Sequence, residues 1–264
     1  MIDKNVLASH LEAVRRTSPL VHNITNYVAM NNSANALLAI GASPVMAHWT
    51  AEMEEMVAIA GALVINIGTL DTEWIEGMLA AGRAAHKNGT PIVLDPVGAG
   101  ATSYRTRTAW EIIEQCHPTV IRGNGSEIMA LINADVKSKG VDSTASSDDA
   151  LEAAKALAVR TGAVVVISGP TDYITDGTRT ETITNGHPIM TTVTGMGCTA
   201  SAVVGAFVAT GEDVLLSATH AMAVMGVAGE RAQKVARGSG SMQVAFLDEL
   251  YNLTGEVLKD SLRQ

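Results

Sequence analysis

Cysteine and aromatic residues are scarce in this sequence. Among its 264 residues, only Cys116 and Cys198 carry thiols, and aromatic residues make up 3%. Two cysteines are too few for the disulfide framework that stabilises secreted chains, and too few for a zinc site built from cysteines. We therefore expect a protein of the reducing cytoplasm.

Positive charge and long apolar stretches are also in short supply. Lys and Arg number 18 against 27 Asp and Glu, which gives a net charge of -9. A chain of that sign is a poor partner for polyanions, so we expect no nucleic-acid partner. The longest apolar stretches, Val57–Ile65 and Ala202–Ala209, fall short of the roughly 20 residues that cross a bilayer. We therefore expect no membrane association. The charged residues within Met1–Arg16 also argue against a signal peptide.

Apolar residues, by contrast, are plentiful, at 47% of the chain. They are enough for a sizeable core, and α/β chains of this length commonly fold as one unit. We therefore expect a single domain over residues 1–264. The polar stretch Lys137–Asp149 resembles a linker, but helix and strand patterns resume directly after it, so we interpret it as an exposed loop.

Short apolar runs alternate with helical patterns along most of the chain. The runs that suggest strands are Ala62–Ile67, Pro91–Leu94, Thr119–Ile121 and Ala163–Ile167. Continuous apolar runs are typical of strands buried on both faces, and their alternation with helices is typical of a parallel sheet. The pattern predicts a three-layer α/β sandwich with a mainly parallel central sheet and helices on both faces.

This alternation stops after Ser168. Asp172–Thr175 and Thr178–Ile183 have strand-like composition, and Asp176–Gly177 between them is typical of a two-residue hairpin turn. We expect an antiparallel edge there. From Gly195 onward the sequence predicts helices, namely Thr199–Thr210, Val214–Ala236 and Val244–Leu258.

The most informative segment for chemistry is Thr194–Ser201, where Gly195 and Gly197 lead into an apolar helix. Free amides at a helix N-terminus can bind an anion, including the charge that develops during phosphoryl transfer. The alternative is a tight turn in which glycine supplies a positive φ. Cys198 lies just inside the helix, where the helix dipole favours a thiolate, or it is simply a small buried residue.

Acidic residues follow two of the predicted strands. Asp95 ends the run Pro91–Leu94, and Glu127 opens the helix after Thr119–Ile121. Ligands of α/β proteins bind at the carboxyl ends of strands, and magnesium is held by carboxylates together with water and nucleotide phosphates. The two acids are candidate magnesium ligands. Each is equally well explained as a helix cap or a solvated acid.

Several short motifs together resemble the hydroxyethylthiazole kinase family. They are Ser18–Asn26, Gly41–Pro44, Asn66–Leu70, Leu94–Val97, Arg122–Asn124 and Gly197–Cys198, in the family's order between about Leu11 and Leu250. The resemblance implies a ribokinase-like fold and the phosphorylation of 4-methyl-5-(2-hydroxyethyl)thiazole by ATP and Mg²⁺ in thiamine salvage. It also implies a homotrimer with active sites at the subunit interfaces.

The resemblance also implies roles for individual residues around the nucleotide. Asn124 and Glu127 match the Asn-x-x-Glu motif that ribokinase-like enzymes use around magnesium, with Asp95 as the neighbouring acid. Arg122 and Ser168 match positions that contact ATP.

Positions on the acceptor side match as well. Met46, Gly195 and Asn26 match contacts to the thiazole alcohol. Cys198 stands where most kinases of this fold place an aspartate base, so the acceptor hydroxyl is expected near its sulfur. The amides of Gly195, Gly197 and Cys198 are expected to stabilise the transition state together with the metal.

Two alternatives stay open at this point. A kinase of the same fold could act on another small alcohol, such as a hydroxymethylpyrimidine or a sugar, but Cys198 in place of aspartate argues against it. A binding protein that kept the fold and lost turnover is the second alternative. Its weakness is that a binder has no need of the carboxylates of Asp95 and Glu127.

Overall fold

The computed structural model describes residues 2–133, 147–211 and 213–263. Its strands are β1 (Leu20–Ile24), β2 (Ser43–Val45), β3 (Ala62–Asn66), β4 (Ile92–Asp95), β5 (Val120–Asn124), β6 (Val164–Ser168), β7 (Asp172–Thr175) and β8 (Thr180–Ile183). Its α-helices are α1 (Lys4–Thr17), α2 (Met30–Ile40), α3 (Met53–Ile59), α4 (Thr72–Asn88), α5 (Ser103–Cys116), α6 (Gly125–Asn133), α7 (Ser147–Thr161), α8 (Met196–Val208), α9 (Val214–Gln233), α10 (Ser239–Asn252) and α11 (Gly255–Ser261).

The strands of the described ranges form one sheet in the order β2-β1-β3-β4-β5-β6-β7-β8. The six strands β1 to β6 pair in parallel, whereas β7 pairs antiparallel with both β6 and β8. This confirms the predicted fold class, including the antiparallel edge. Because β1 to β6 run the same way, their carboxyl ends meet along one edge of the sheet.

Each face of the sheet packs against its own set of helices. Along β3, Ala62 and Val64 belong to the core under α1, α2, α8, α9, α10 and α11, while Leu63 and Ile65 belong to the core under α3 to α7. Successive strand side chains point to opposite faces, so the continuous apolar run of β3 fills both cores. The three layers predicted from such runs are therefore present.

Two local predictions were wrong. The β7–β8 connection has four residues, 176–179, because Asp176 accepts hydrogen bonds from the amides of Thr178 and Arg179 at 2.9 and 2.7 Å and closes a wider turn. The helix predicted over Val244–Leu258 is two helices. Leu253 leaves the helical region with φ -65° and ψ 116°, and Thr254 then caps α11.

Two further predictions concern membrane-spanning helices and the exposed loop before α7. Within the described ranges, no helix is both long and apolar enough to cross a bilayer. The loop predicted over Lys137–Asp149 lies outside the described residues as far as position 146, and positions 147–149 belong to α7.

Candidate active site

The carboxyl edge of the sheet carries polar side chains on neighbouring strands. Asn66 of β3 is paired with Asp95 of β4, and Asn124 of β5 is paired with Ser168 of β6. This register arises because buried apolar residues occupy the strand centres and leave polar residues at their ends. A cavity of about 630 Å³ opens at this edge.

Most of the site residues predicted from the sequence line this cavity. They are Asp95, Arg122, Asn124, Glu127, Ser168, Gly195, Gly197 and Cys198. The far wall comes from the segment after β8, including Asn185, Gly186 and His187. Two predicted residues lie outside the lining: Asn26 is directly behind Cys198, and Met46 follows β2 at the sheet's edge.

A buried hydrogen-bond network connects Cys198 to Asp95. Asn26 Nδ2 lies 3.2 Å from Cys198 Sγ and donates to Asn66 Oδ1 at 2.8 Å. Asn66 Nδ2 in turn donates to Asp95 Oδ2 at 2.8 Å, which also accepts from Ser201 Oγ at 2.8 Å.

Backbone amides fix which way both asparagine side chains point. Asn26 Oδ1 accepts from the amide of Ala29 at 3.0 Å, and Asn66 Oδ1 accepts from the amide of Gly68 at 2.9 Å. An amide group flipped the other way would lose these bonds. The network therefore presents N–H groups to the sulfur and to the carboxylate in a set direction.

The thiol of Cys198 is held in its neutral form. Burial raises its pKa above the ordinary value, and the charge of Asp95 raises it further, while hydrogen bonds from Asn26 and Asn66 and the charge of Arg122 act the other way. Of the two interpretations of Cys198, the structure favours the small buried residue over the thiolate, because burial beside a carboxylate opposes the effect of the helix dipole.

A candidate anion site lies where Arg122 meets the start of α8. Gly195 holds φ 77° at the N-cap, and no side chain from the described residues caps this helix. Arg122 is 7% exposed and donates to Ser168 Oγ at 2.6 Å, but its Nε has no partner within the described ranges. A Cβ on Gly197 would lie 2.7 Å from Arg122 Nη1, so glycine is what lets the guanidinium reach the helix. Unpaired buried donors beside a free helix N-terminus are suited to a phosphate.

The Asn-x-x-Glu segment forms a reciprocal cap on α6. Glu127 N donates to Asn124 Oδ1 at 2.9 Å, and Asn124 N donates to Glu127 Oε2 at 2.9 Å. Glu127 Oε1 accepts a further bond, from the amide of Gly98 at 2.9 Å. The capping interpretation of Glu127 is therefore correct, and it leaves the carboxylate facing the cavity on a fixed helix start.

The two acids are suited to a magnesium ion that is shared with a nucleotide. No group of three His, Cys, Asp or Glu side chains in the described chain could hold a metal by itself. Asp95 and Glu127 both line the cavity, and magnesium needs only one or two carboxylates when phosphates and water complete its shell. Burial raises the pKa of Asp95 to about 6, while the charge of Arg122 and the Ser201 hydrogen bond oppose this shift, so a cation there would favour the ionised form.

Three polar residues of the site were missed by sequence reasoning. Asn66 is part of a matched motif and is the one polar residue within the apolar run Ala62–Ile67, which is a usable signal. Ser201 lies three residues after Cys198, so helical spacing places both on one face of α8. Asp172 also lines the cavity and is 8% exposed, but nothing in its strand-like surroundings distinguishes it.

Comparisons with known proteins extend over nearly the whole chain. The profile of the hydroxyethylthiazole kinase family matches residues 11–256. The hydroxyethylthiazole kinase of Leptospira biflexa is 56% identical over 252 residues, which are 96% of this chain and 94% of that protein.

Solved structures give the same result. A structure of a hydroxyethylthiazole kinase protein from Pyrococcus horikoshii superposes with a TM-score of 0.91 at 43% identity, over 98% of this chain and 97% of that one. A ribokinase-like superfamily protein from Enterococcus faecalis shares the fold alone, with a TM-score of 0.65 at 14% identity over 96% of each chain. The chain belongs to the hydroxyethylthiazole kinase family and has the ribokinase-like fold.

Proposed function

We propose that the cavity binds ATP and a thiazole alcohol together and transfers the γ-phosphoryl group to the hydroxyl of 4-methyl-5-(2-hydroxyethyl)thiazole, as in thiamine salvage. The observation that carries this proposal is the meeting of Arg122, the start of α8 and Cys198 in one cavity. Phosphoryl transfer needs cationic and amide donors for the phosphoryl group directly beside a residue that holds the acceptor hydroxyl.

Charge stabilisation is assigned to Arg122 and the first turn of α8. Phosphoryl transfer passes through a loose transition state with charge on the equatorial oxygens, so fixed donors and good positioning do most of the work. Arg122 Nε lacks a partner among the described residues, and the amides of Gly197 and Cys198 lie in the first turn of α8. Ser168 holds the guanidinium in place at 2.6 Å.

Cys198 positions the acceptor hydroxyl rather than removing its proton in advance. Its pKa is raised, so at neutral pH the sulfur carries its hydrogen. Asn26 fixes the sulfur from behind at 3.2 Å, and Gly195 and Met46 are the remaining residues assigned to the alcohol. Positioning of this kind can supply much of the rate when little covalent chemistry is required.

Asp95 and Glu127 are assigned to Mg²⁺, and Asn124, which caps the same helix as Glu127, is assigned to the nucleotide beside it. When bound, the ion would neutralise negative charge on the nucleotide phosphates. The residues of the chain contribute a pre-set arrangement: Asn66 and Ser201 hold one carboxylate, and the α6 cap holds the other.

A homotrimer, which the family resemblance implies, is part of the proposal, and exposed apolar side chains in segments assigned to the acceptor side support a subunit contact there. Met46 follows β2 and lies outside the cavity lining. Tyr27 and Val28, in the segment after β1, and Trp49, in the segment after β2, are 62%, 61% and 56% exposed, which is unusual for large apolar side chains. A neighbouring subunit would cover them and close the pocket. The cytoplasmic location expected from the sequence also remains part of the proposal.

The direct test is ADP release by the purified protein with ATP and Mg²⁺, using the thiazole alcohol, a hydroxymethylpyrimidine and ribose as parallel acceptors. Rapid release with the thiazole alone is the expected result. Preference for another alcohol would overturn the substrate assignment. No release with any acceptor, despite nucleotide binding, would favour a binding protein.

A further inference from the structure

We propose that Arg105 is a positioning residue that sets the spacing between the acceptor side and the nucleotide side of the site. This inference rests on the proposed function, since it concerns the geometry of that same reaction. Arg105 lies in the first turn of α5 and lines no part of the cavity. Its guanidinium donates to Ile67 O at 2.7 Å, to Val97 O at 2.8 Å and to Gly68 O at 2.9 Å.

These carbonyls belong to two different loops, one after β3 and one after β4. The first loop carries the Gly68 amide, which orients Asn66 and so fixes Asn26 against Cys198. A shift of this loop would therefore move the groups around the acceptor hydroxyl.

The second loop acts on the other half of the site. Val97 lines the cavity, and the next residue, Gly98, donates its amide to Glu127 Oε1 at 2.9 Å. Gly98 has φ +75°, and a Cβ there would lie 3.0 Å from Arg105 Cδ, so the loop folds closely over the arginine side chain. One guanidinium thus holds both the loop whose Gly98 amide binds Glu127 and the loop whose Gly68 amide binds Asn66.

The shape of the side chain matters as much as its charge. A planar guanidinium presents several N–H groups in a rigid fork and can bind carbonyls of both loops at once. A lysine ammonium is a point donor and would not reproduce all three bonds. The neutral amide of glutamine would leave carbonyls of both loops without their donor.

The test compares Arg105→Gln and Arg105→Lys with Arg107→Gln. Arg107 is an exposed residue of the same helix, and its guanidinium donates a hydrogen bond to Ser103 Oγ at 3.3 Å. Misplacement by about 1 Å can lower a rate 10²-fold, so we expect kcat to fall about 10-fold or more in Arg105→Gln. The KM for ATP should change less than about 3-fold, because Arg122 is untouched, and Arg105→Lys should lie between.

A second measurement does not depend on turnover. Calorimetry of ADP binding with and without Mg²⁺ gives the factor by which the metal raises the affinity for ADP, here called the metal gain. The metal gain should shrink about 3-fold or more in Arg105→Gln and stay unchanged in Arg107→Gln. A variant with a lower melting temperature but wild-type kcat and metal gain would show that Arg105 only stabilises the fold, and would overturn the proposal. If Arg105→Gln does not fold, the same comparison of kcat and of the gain in ADP affinity due to Mg²⁺ is made with Arg105→Lys. An inactive wild-type protein would count against the proposed function, whereas the metal gain would still decide the role of Arg105.

Discussion

The two halves of the site differ in how their polar groups are paired. On the acceptor side, Asn26 and Asn66 use their amide groups to bind one another, Cys198 and Asp95. On the nucleotide side, Arg122 keeps a buried Nε without a partner in the described chain, beside a helix N-terminus that no described side chain caps.

The difference indicates what each half contributes. Paired groups are rigid before substrate arrives, so the acceptor side is pre-organised and its residues should act mainly on kcat. Unpaired buried donors are costly until a ligand satisfies them, so the nucleotide side should gain much of its stability from phosphate. Substitutions on the two sides are expected to separate kinetically.

The largest effect is expected at Glu127, which lies on the nucleotide side but is paired like the acceptor-side residues, through the α6 cap and the Gly98 amide. Glu127→Ala removes a proposed metal ligand and the reciprocal cap on α6, and kcat should fall by about 10² to 10³. Glu76→Ala, on the exposed face of α4, is the matched control and should retain activity. Chelation of Mg²⁺ should abolish turnover of the unaltered protein. Full activity after chelation would contradict the metal assignment.

Arg122→Gln tests whether the unpaired donors serve the nucleotide. Losing a charge-assisted hydrogen bond removes about 1.5 to 3 kcal/mol, so the KM for ATP should rise about 10-fold or more, with a smaller change in the KM for the alcohol. Arg83→Gln, an exposed change in α4, serves as control. An effect confined to the KM for the alcohol would reverse the assignment of the two halves.

Cys198→Ala is expected to lower kcat about 10-fold, which is less than the loss in Glu127→Ala. In the proposed mechanism the thiol only positions the hydroxyl, because burial raises its pKa and so favours the neutral sulfur. The KM for ATP should stay near its wild-type value. A loss equal to that of Glu127→Ala would show that the sulfur takes part directly in proton transfer.

Most of the fold and the position of the site could be predicted from the sequence. Continuous apolar runs such as Ala62–Ile67 are a strong signal for strands buried on both faces, and polar residues directly after them mark the carboxyl edge. What the patterns could not supply was pairing between distant residues. The bond from Asn66 to Asp95 spans 29 positions, and the bond from Ser201 to Asp95 spans 106.

Cys198 shows why the electrostatics could not be predicted locally. Its place in the first turn of α8 argued for a thiolate, because the helix dipole is a local feature. Burial and the charge of Asp95 are set by tertiary structure, and they raise the pKa instead. The two-residue turn predicted at Asp176–Gly177 was wrong for a related reason, although the hairpin itself is present: the Asp176 side chain accepts two backbone hydrogen bonds and widens the turn.

The smallest effect is expected from Asp172→Asn, a substitution at the cavity on the nucleotide side, and it is a change in stability. Burial raises the pKa of Asp172 from 3.8 to about 6, against the opposing hydrogen bond from Gly169 and the charge of Arg122. A raised pKa means that the carboxyl contributes its full stability below about pH 3.8 and loses it as the pH rises through about 6. At pH 8 Asp172→Asn should therefore raise the free energy of unfolding by about 1 kcal/mol. This figure allows for the weaker hydrogen bond that the uncharged asparagine would accept from the Gly169 amide.

Asp176→Asn is the matched control of opposite sign. Burial there acts to raise the pKa of Asp176, but hydrogen bonds from Arg179 and Thr178 outweigh it and lower the pKa. Its contribution is present at neutral pH and lost in acid, so the asparagine variant should be less stable at pH 8. Melting temperatures of both variants from pH 4 to 8 should diverge in opposite directions as the pH rises. A pH-independent difference for Asp172→Asn would show that its carboxyl is already satisfied, and that the nucleotide side is as well paired as the acceptor side.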